Sequence, residues 1–376
     1  MRKFFWLLRK KIFFSSEIKR TKIWFVRMNE KMNMSMEIKS EWIEAFKNVF
    51  DLCEIKKSEK VIILSESSSR RVNIEIAKIA LGILSIDYTL LEVKSKMNEG
   101  PLKVSTGASN ALNGRDFTIK MLLESDVIVD LTCEGLMHSE ATGKILKSGT
   151  RIMNISNESP EILCRLAPKI DMKDKVKNSL EAFRSAKNMN IKSECGTDLI
   201  VSVKGSPIVG VWGWTNRPGT LAHWPGGLVA CFPGENTTNG TIVFSPGDIN
   251  LTFKKYFESE VKCIVRNDFI TEVQGKSLDA KLMRQYFESF KDANTYAVSH
   301  VGWGLNSEAR YEAISMYEKH EINGTELRVI EGNFLFSTGA NEFANRFTEG
   351  HFDLPMMDCL IELDGTFIVK DGKIFC

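Results

Sequence analysis

A chain of 376 residues is longer than one ordinary core needs and suits two domains of common size. Hydrophobic residues at 43% and charged residues at 26% are ordinary globular values, so burial can offset chain entropy without disulfides or a structural metal. With Lys+Arg 50 against Asp+Glu 48, the net charge of +2 gives no electrostatic reason to expect nucleic acid as a partner.

Residues 1–35 stand apart. Phe4 to Leu8 is apolar but stops at Arg9-Lys10-Lys11, and Ile23-Trp24-Phe25-Val26 is equally short, so neither makes a signal-peptide core. A basic amphipathic segment on a membrane surface is one reading. A disordered extension ahead of Met36 is the simpler one and is the expectation here. No run approaches the ~18 apolar residues of a membrane-spanning helix.

From Glu37 the pattern is regular. Glu41 to Leu52 reads as a helix and Val61 to Leu64 as a buried strand, followed by a helix over Val72 to Leu84 and a strand over Tyr88 to Val93. The alternation continues with a helix near Phe117 to Glu124, strand Val127 to Leu131, helix Glu140 to Lys147, strand Arg151 to Ile155 and helix Pro160 to Leu166. Such spacing predicts an α/β fold whose N-terminal domain, residues 36–195, is a parallel sheet covered on both faces. Beyond Lys192 the chain turns to Gly, Pro and short β-branched runs, such as Leu199 to Val203, Gly240 to Phe244 and Val261 to Val265. Helices over Asp279 to Phe290 and Glu308 to Glu318 and closing strands at Leu360 to Glu362 and Thr366 to Val369 predict a C-terminal α+β metal-binding domain, residues 196–376.

The eight cysteines are scattered singly with no CxxC pair, which argues against a zinc ribbon and a disulfide framework and suggests a reducing, cytoplasmic setting.

Five histidines occur, so each placement is informative. His320 follows Glu318-Lys319 and reads as a solvated helix end. In Gly350-His351-Phe352-Asp353, a His and an Asp two apart on an extended stretch project to one side and can share an ion. Alone such a pair is weak, since a His bonded to a neighbouring Asp in a turn has the same spacing. The best third ligand is His300, in Ser299-His300-Val301-Gly302-Trp303-Gly304, where Trp303 could shield the site. Two imidazoles and one carboxylate with other positions open suit ferrous iron. His223, between Ala222 and Trp224-Pro225-Gly226-Gly227, suits a general base at a pocket rim, or equally a histidine satisfying a buried turn. His138 follows the strand ending at Leu131, beyond the carboxyl end where open α/β sheets bind ligands; a polar residue at a helix start is the competing reading.

Taken together, Ala222 to Gly227, Gly240 to Val243, Pro246 to Ile249, Ser299 to Leu305, Gly332 to Gly339 and His351 to Pro355 resemble the 2,5-dihydroxypyridine 5,6-dioxygenase family. Looser matches are Asp130, Leu136 to Ser139 and Lys147 to Arg151, and residues 1 to about 35 have no counterpart. The resemblance implies an extradiol-like, ring-cleaving enzyme that uses Fe(II) and O₂ on a small aromatic substrate. It puts His300, His351 and Asp353 on the iron ligands, His138 and His223 on catalytic pocket histidines and Ser337 on a substrate-binding position. It also implies a homo-oligomer.

The fold is shared with aminopeptidase T-type metallo-aminopeptidases, which hold two metals such as Zn, Co or Mn. Against that pattern this chain carries His300 where a ligating glutamate stands and Leu335 where an extra histidine stands, while Glu235 survives. Leucine cannot ligate, so paired-metal hydrolysis is the lesser alternative. A catalytically inactive metal-binding homologue is the third reading. Relative to the dioxygenases a pocket Glu is replaced by Val211, followed by Trp212 and Trp214; this points to Trp212 as a substrate-binding residue and to a less polar ring.

Overall fold

Apolar runs that bury both faces of a strand, spaced by amphipathic helices, set the first layers of the molecule. The computed structural model describes residues 37–96 and 109–376, so the 1–35 extension lies outside the described residues. Helix α1 (Ser40–Leu52) buries Trp42, Phe46, Val49 and Phe50 along one stripe. Strand β1 (Val61–Glu66), helix α2 (Arg71–Ile83), strand β2 (Tyr88–Val93), helix α3 (Asp116–Leu123), strand β3 (Val127–Leu131), helix α4 (Glu140–Lys147) and strand β4 (Arg151–Asn154) then alternate, followed by α5 (Pro160–Arg165). Ile62, Leu64, Ile128 and Ile152 turn one way, onto Leu122 of α3 and Ala141 and Ile145 of α4. Alternation turns Ile63, Val129 and Met153 the other way.

The structure adds α6 (Ile170–Ser185), a helix left unassigned from the sequence. Its buried stripe of Val176, Ser179, Leu180 and Phe183 is thin, because the rest of the helix faces solvent. After it come β5 (Asn188–Lys192), β6 (Asp198–Ser202), β7 (Ile208–Val211), β8 (Leu221–His223), β9 (Leu228–Cys231), β10 (Thr238–Phe244), β11 (Ile249–Asn250), β12 (Lys255–Tyr256), β13 (Val261–Arg266) and β14 (Phe269–Gln274). Helix α7 (Leu278–Phe290) starts where the Ser277 side chain accepts from Ala280 N and ends on Lys291 in the left-handed region. Strand β15 (Val298–Gly304), short turns α8 (Ala313–Met316) and α9 (Thr325–Arg328), and strands β16 (Phe334–Asn341), β17 (Arg346–Met356), β18 (Leu360–Leu363), β19 (Thr366–Lys370) and β20 (Lys373–Ile374) complete the chain. The helix expected over Glu308 to Glu318 shrinks to the single turn of α8, because Tyr256, Glu326 and Asn306 bond the backbone of Tyr311, Arg310 and Glu308.

Three main sheets result. The first is all parallel, in the order β2-β1-β3-β4-β8. Its fifth strand, β8, lies beyond the boundary expected near residue 195, and Ser40–Cys376 forms one compact unit. An eight-stranded antiparallel sheet runs β14-β13-β10-β6-β5-β18-β19-β20, and a five-stranded one runs β17-β16-β15-β9-β7. The main core lies between these two, with Val301, Trp303, Phe334, Phe336, Phe352 and Leu354 on one wall. Every one of those positions has neighbours one residue away that must face the other side of the sheet. Those neighbours include His300, Ser337, His351 and Asp353. Among the described residues no helix is long and apolar enough to cross a membrane.

Candidate metal centre

Strand register fixes the centre before any side-chain detail. Ser337 pairs with Asp353 and Gly339 with His351 across β16 and β17, so the three polar side chains rise on the face opposite the Phe336/Phe352 core. The register between β15 and β16 shifts between Val298 and Val301, a bulge that holds Ser299 and His300. Gly339 is needed for the close pairing: its φ is +105°, and a Cβ there would lie 1.9 Å from the Gly350 carbonyl oxygen.

The parallel sheet brings the other histidines. After β3 the chain turns around Asp130, whose carboxylate accepts from Thr132 N at 3.0 Å and Leu136 N at 2.7 Å. Gly135, at φ +74°, presses on the end of β4 so closely that a Cβ would meet Asn154 Nδ2 and Ser156 Oγ at 2.5 Å. This loop carries His138 over the β15–β17 face of its own chain, with its ring centre 4.2 Å from that of His351 and 5.8 Å from that of His300. His223 ends β8, and the indole of Trp224 beside it is anchored by Nε1–H donating to the Leu166 carbonyl at 2.8 Å. The Trp224–Pro225 bond is cis.

One buried cavity is lined by His138, His223, His300, His351, Asp353 and Arg328 among others. Nε2 of His351 lies 3.2 Å and Nε2 of His300 3.6 Å from Oδ1 of Asp353. Candidate ligand atoms of His138, His300 and His351 lie within 4.8 Å of one another. Arg328 Nε donates to the other oxygen of Asp353, and Ser337 Oγ donates to Oδ1. Burial alone would raise the Asp353 carboxyl, but Arg328 and His351 outweigh it and hold the group well below the usual carboxylate range. Burial pushes His300 well below the ordinary imidazole value, and His351 below it, against the pull of Asp353.

Hydrogen bonds decide the tautomers. Ser299 Oγ gives its proton to the Ala340 carbonyl, so it accepts from His300 Nδ1 at 3.1 Å and leaves Nε2 bare. The Ser337 hydroxyl, 3.0 Å from that Nε2, spends its proton on Asp353. Nδ1 of His351 and Nε2 of His138 are buried without partners. Neutral imidazoles and an ionised carboxylate converging in one enclosed space, with orphaned nitrogens among them, fit a divalent cation.

His223 donates Nδ1–H to the Pro225 carbonyl at 2.7 Å, which leaves Nε2 as a lone pair. Burial lowers its pKa to about 4. His138 Nδ1 lies 3.3 Å from Glu342 Oε2. Nothing in the local sequence distinguishes Glu342 and Arg328 from the chain's many other charged side chains.

One sequence expectation needs correcting. Trp303 does not shield the site: its ring stacks on Phe183 at 4.4 Å inside the core, because it shares the face of Val301. Phe232 stands by the site instead, 5.2 Å from the His300 ring. Trp212 lines an adjoining cleft and not the histidine cavity. His320 is exposed, in a turn beyond α8.

A family model described as 2,5-dihydroxypyridine 5,6-dioxygenase matches residues 41–376. The chain belongs to that dioxygenase family. A 2,5-dihydroxypyridine 5,6-dioxygenase of Pseudomonas putida is 30% identical over 338 residues, which span 88% of this chain and 95% of that protein. The solved structure of a 2,5-dihydroxypyridine dioxygenase from Pseudomonas putida KT2440 matches with a TM-score of 0.83 at 29% identity, over 89% of this chain and 97% of that one. Wild-type AmpT from Thermus thermophilus matches with a TM-score of 0.57 at 12% identity, over 89% and 99% of the two chains, and shares the fold. Membership makes this chain an enzyme of the dioxygenase class. Within the dioxygenase frame, Leu335 is buried against Leu228 and Val329, and Glu235 is exposed on another surface.

Proposed function

We propose that this protein is a mononuclear, Fe(II)-dependent ring-cleaving dioxygenase acting on a dihydroxylated heteroaromatic ring such as 2,5-dihydroxypyridine, with His300, His351 and Asp353 holding the metal. The observation that carries this reading is the convergence of Nε2 of His300 and Nε2 of His351, 3.6 and 3.2 Å away, on one oxygen of the ionised Asp353 carboxylate in a buried cavity. Ferrous iron held there would supply the oxygen chemistry that no protein side chain has.

The chain's own residues supply binding and proton handling. His223 Nε2, bare because Nδ1–H is spent on Pro225, is placed to accept a ring hydroxyl proton. His138 presents a bare Nε2 on the same cavity, fixed by Glu342 behind it. Ser337 and Arg328 hold the Asp353 carboxylate from two sides, so its orientation is set before any ligand arrives. Phe232 and Leu228 make the surroundings apolar and exclude water from the reacting centre.

The paired-metal peptidase reading is disfavoured by Leu335, an apolar side chain on the Ser337 face of β16. The test is oxygen uptake by anaerobically purified, Fe(II)-loaded protein on addition of 2,5-dihydroxypyridine. Stoichiometric uptake with loss of the ring chromophore is expected; peptide hydrolysis with two bound metals and no uptake would overturn the reading.

A further inference from the structure

Next to the histidine cavity lies a cleft of about 780 Å³. Met137 and His223 line both, so the cleft adjoins the site. Its walls include the flat ring of Trp212 and the half-exposed Phe343, and three cations, Lys177, Arg184 and Arg217, stand in its lining. Lys177 is paired with Asp174 at 3.7 Å, and the Arg217 guanidinium lies 5.7 Å from the centre of the Trp212 ring. Among the described residues Arg184 makes no salt bridge. Of the two carboxylates in the lining, Glu181 and Glu342, the second is engaged by His138.

We propose that the ring cleaved by this enzyme carries a carboxylate-class anionic substituent, which lies along Trp212 and ends between Arg184 and Arg217. This rests on the ring-cleavage reading and narrows its substrate class. A bare six-membered ring with two hydroxyls would leave most of the cleft as water, whereas pockets of roughly 300–1,000 Å³ ordinarily bury much larger ligands. Guanidinium groups present a planar fork that matches a carboxylate, and stacking over an indole leaves that fork free at its edge. The excess of cations over uncommitted carboxylates supplies the charge complementarity.

The test is anaerobic equilibrium binding to the full-length protein, followed by quenching of its tryptophan fluorescence. The probes are a dihydroxylated ring with a short carboxylate-ended chain and the methyl ester of the same compound. The acid is expected to bind about fivefold tighter than the ester, a preference that shrinks in high salt because the cations are exposed. In the Arg184→Gln/Arg217→Gln variant the two probes should bind alike. Equal binding of acid and ester by the wild type, or a preference that survives in the double variant, would overturn the proposal. Oxygen uptake with unsubstituted 2,5-dihydroxypyridine reads the ring-cleavage assignment separately, and its failure leaves the acid-to-ester ratio measurable.

Discussion

Glu342 Oε2 lies 3.3 Å from Nδ1 of His138, joining the short turn after β16 to the loop after β3 across 204 residues of sequence. A carboxylate only accepts, so the pair fixes the proton on Nδ1 and leaves Nε2 facing the cavity bare. Glu342→Gln keeps the shape and loses the charge. We expect kcat to fall about ten- to a hundredfold with iron content unchanged, because outer partners of site histidines contribute on that scale. Steady-state oxygen uptake beside iron analysis checks it, and an unchanged kcat would detach Glu342 from the site.

Gly135 sets the height of the same loop. Alanine there meets both a φ of +74° and contacts of 2.5 Å with Asn154 and Ser156. Gly135→Ala should cost roughly 1–3 kcal/mol of stability, read as a lower denaturant midpoint. It should also reduce kcat, since His138 lies three residues along.

Asp353 faces Arg328 on one side and the histidines on the other. Removing it by Asp353→Ala leaves a buried guanidinium without its carboxylate, and breaking such a pair costs roughly 3–5 kcal/mol. Metal-free protein should therefore lose stability as well as metal affinity. Chemical denaturation of wild type and variant, both treated with chelator, measures the first effect independently of the second.

His223 gives the molecule an acid limb. Its folded pKa is about 4 against an ordinary 6.5, so the unfolded chain takes the proton first. This contribution to stability is whole above about 6.5 and is lost as pH falls toward about 4; burial lowers His300 and His351 as well, so their contributions run in the same direction. His223→Gln should flatten the fall of the denaturation midpoint over that range without abolishing it. A slope identical to wild type would mean that the imidazole is solvated.

Much of this site is legible in the sequence because histidine is scarce and strands alternate. His300, His351, Asp353, His138 and His223 all line one cavity. The same alternation explains why Trp303 is elsewhere: it shares parity with Val301, on the core face of β15. Glu342 and Arg328 are invisible locally, because each acts through a partner far away in sequence. Helix α6 escapes notice because only a thin stripe of a mostly charged segment is buried. β8 was hidden for another reason: three residues next to a Pro-Gly-Gly turn carry too little periodicity to reveal that they extend the parallel sheet.

The central claim is that three side chains from β15 and β17 share one cation. Anaerobic Fe(II) titration of the wild type and of His351→Ala tests it most directly. One tightly held ion per wild-type chain and none in the variant are expected, because a three-ligand site has no ligand to spare. Stoichiometric, equally tight binding by His351→Ala, or no binding by the wild type, would contradict it.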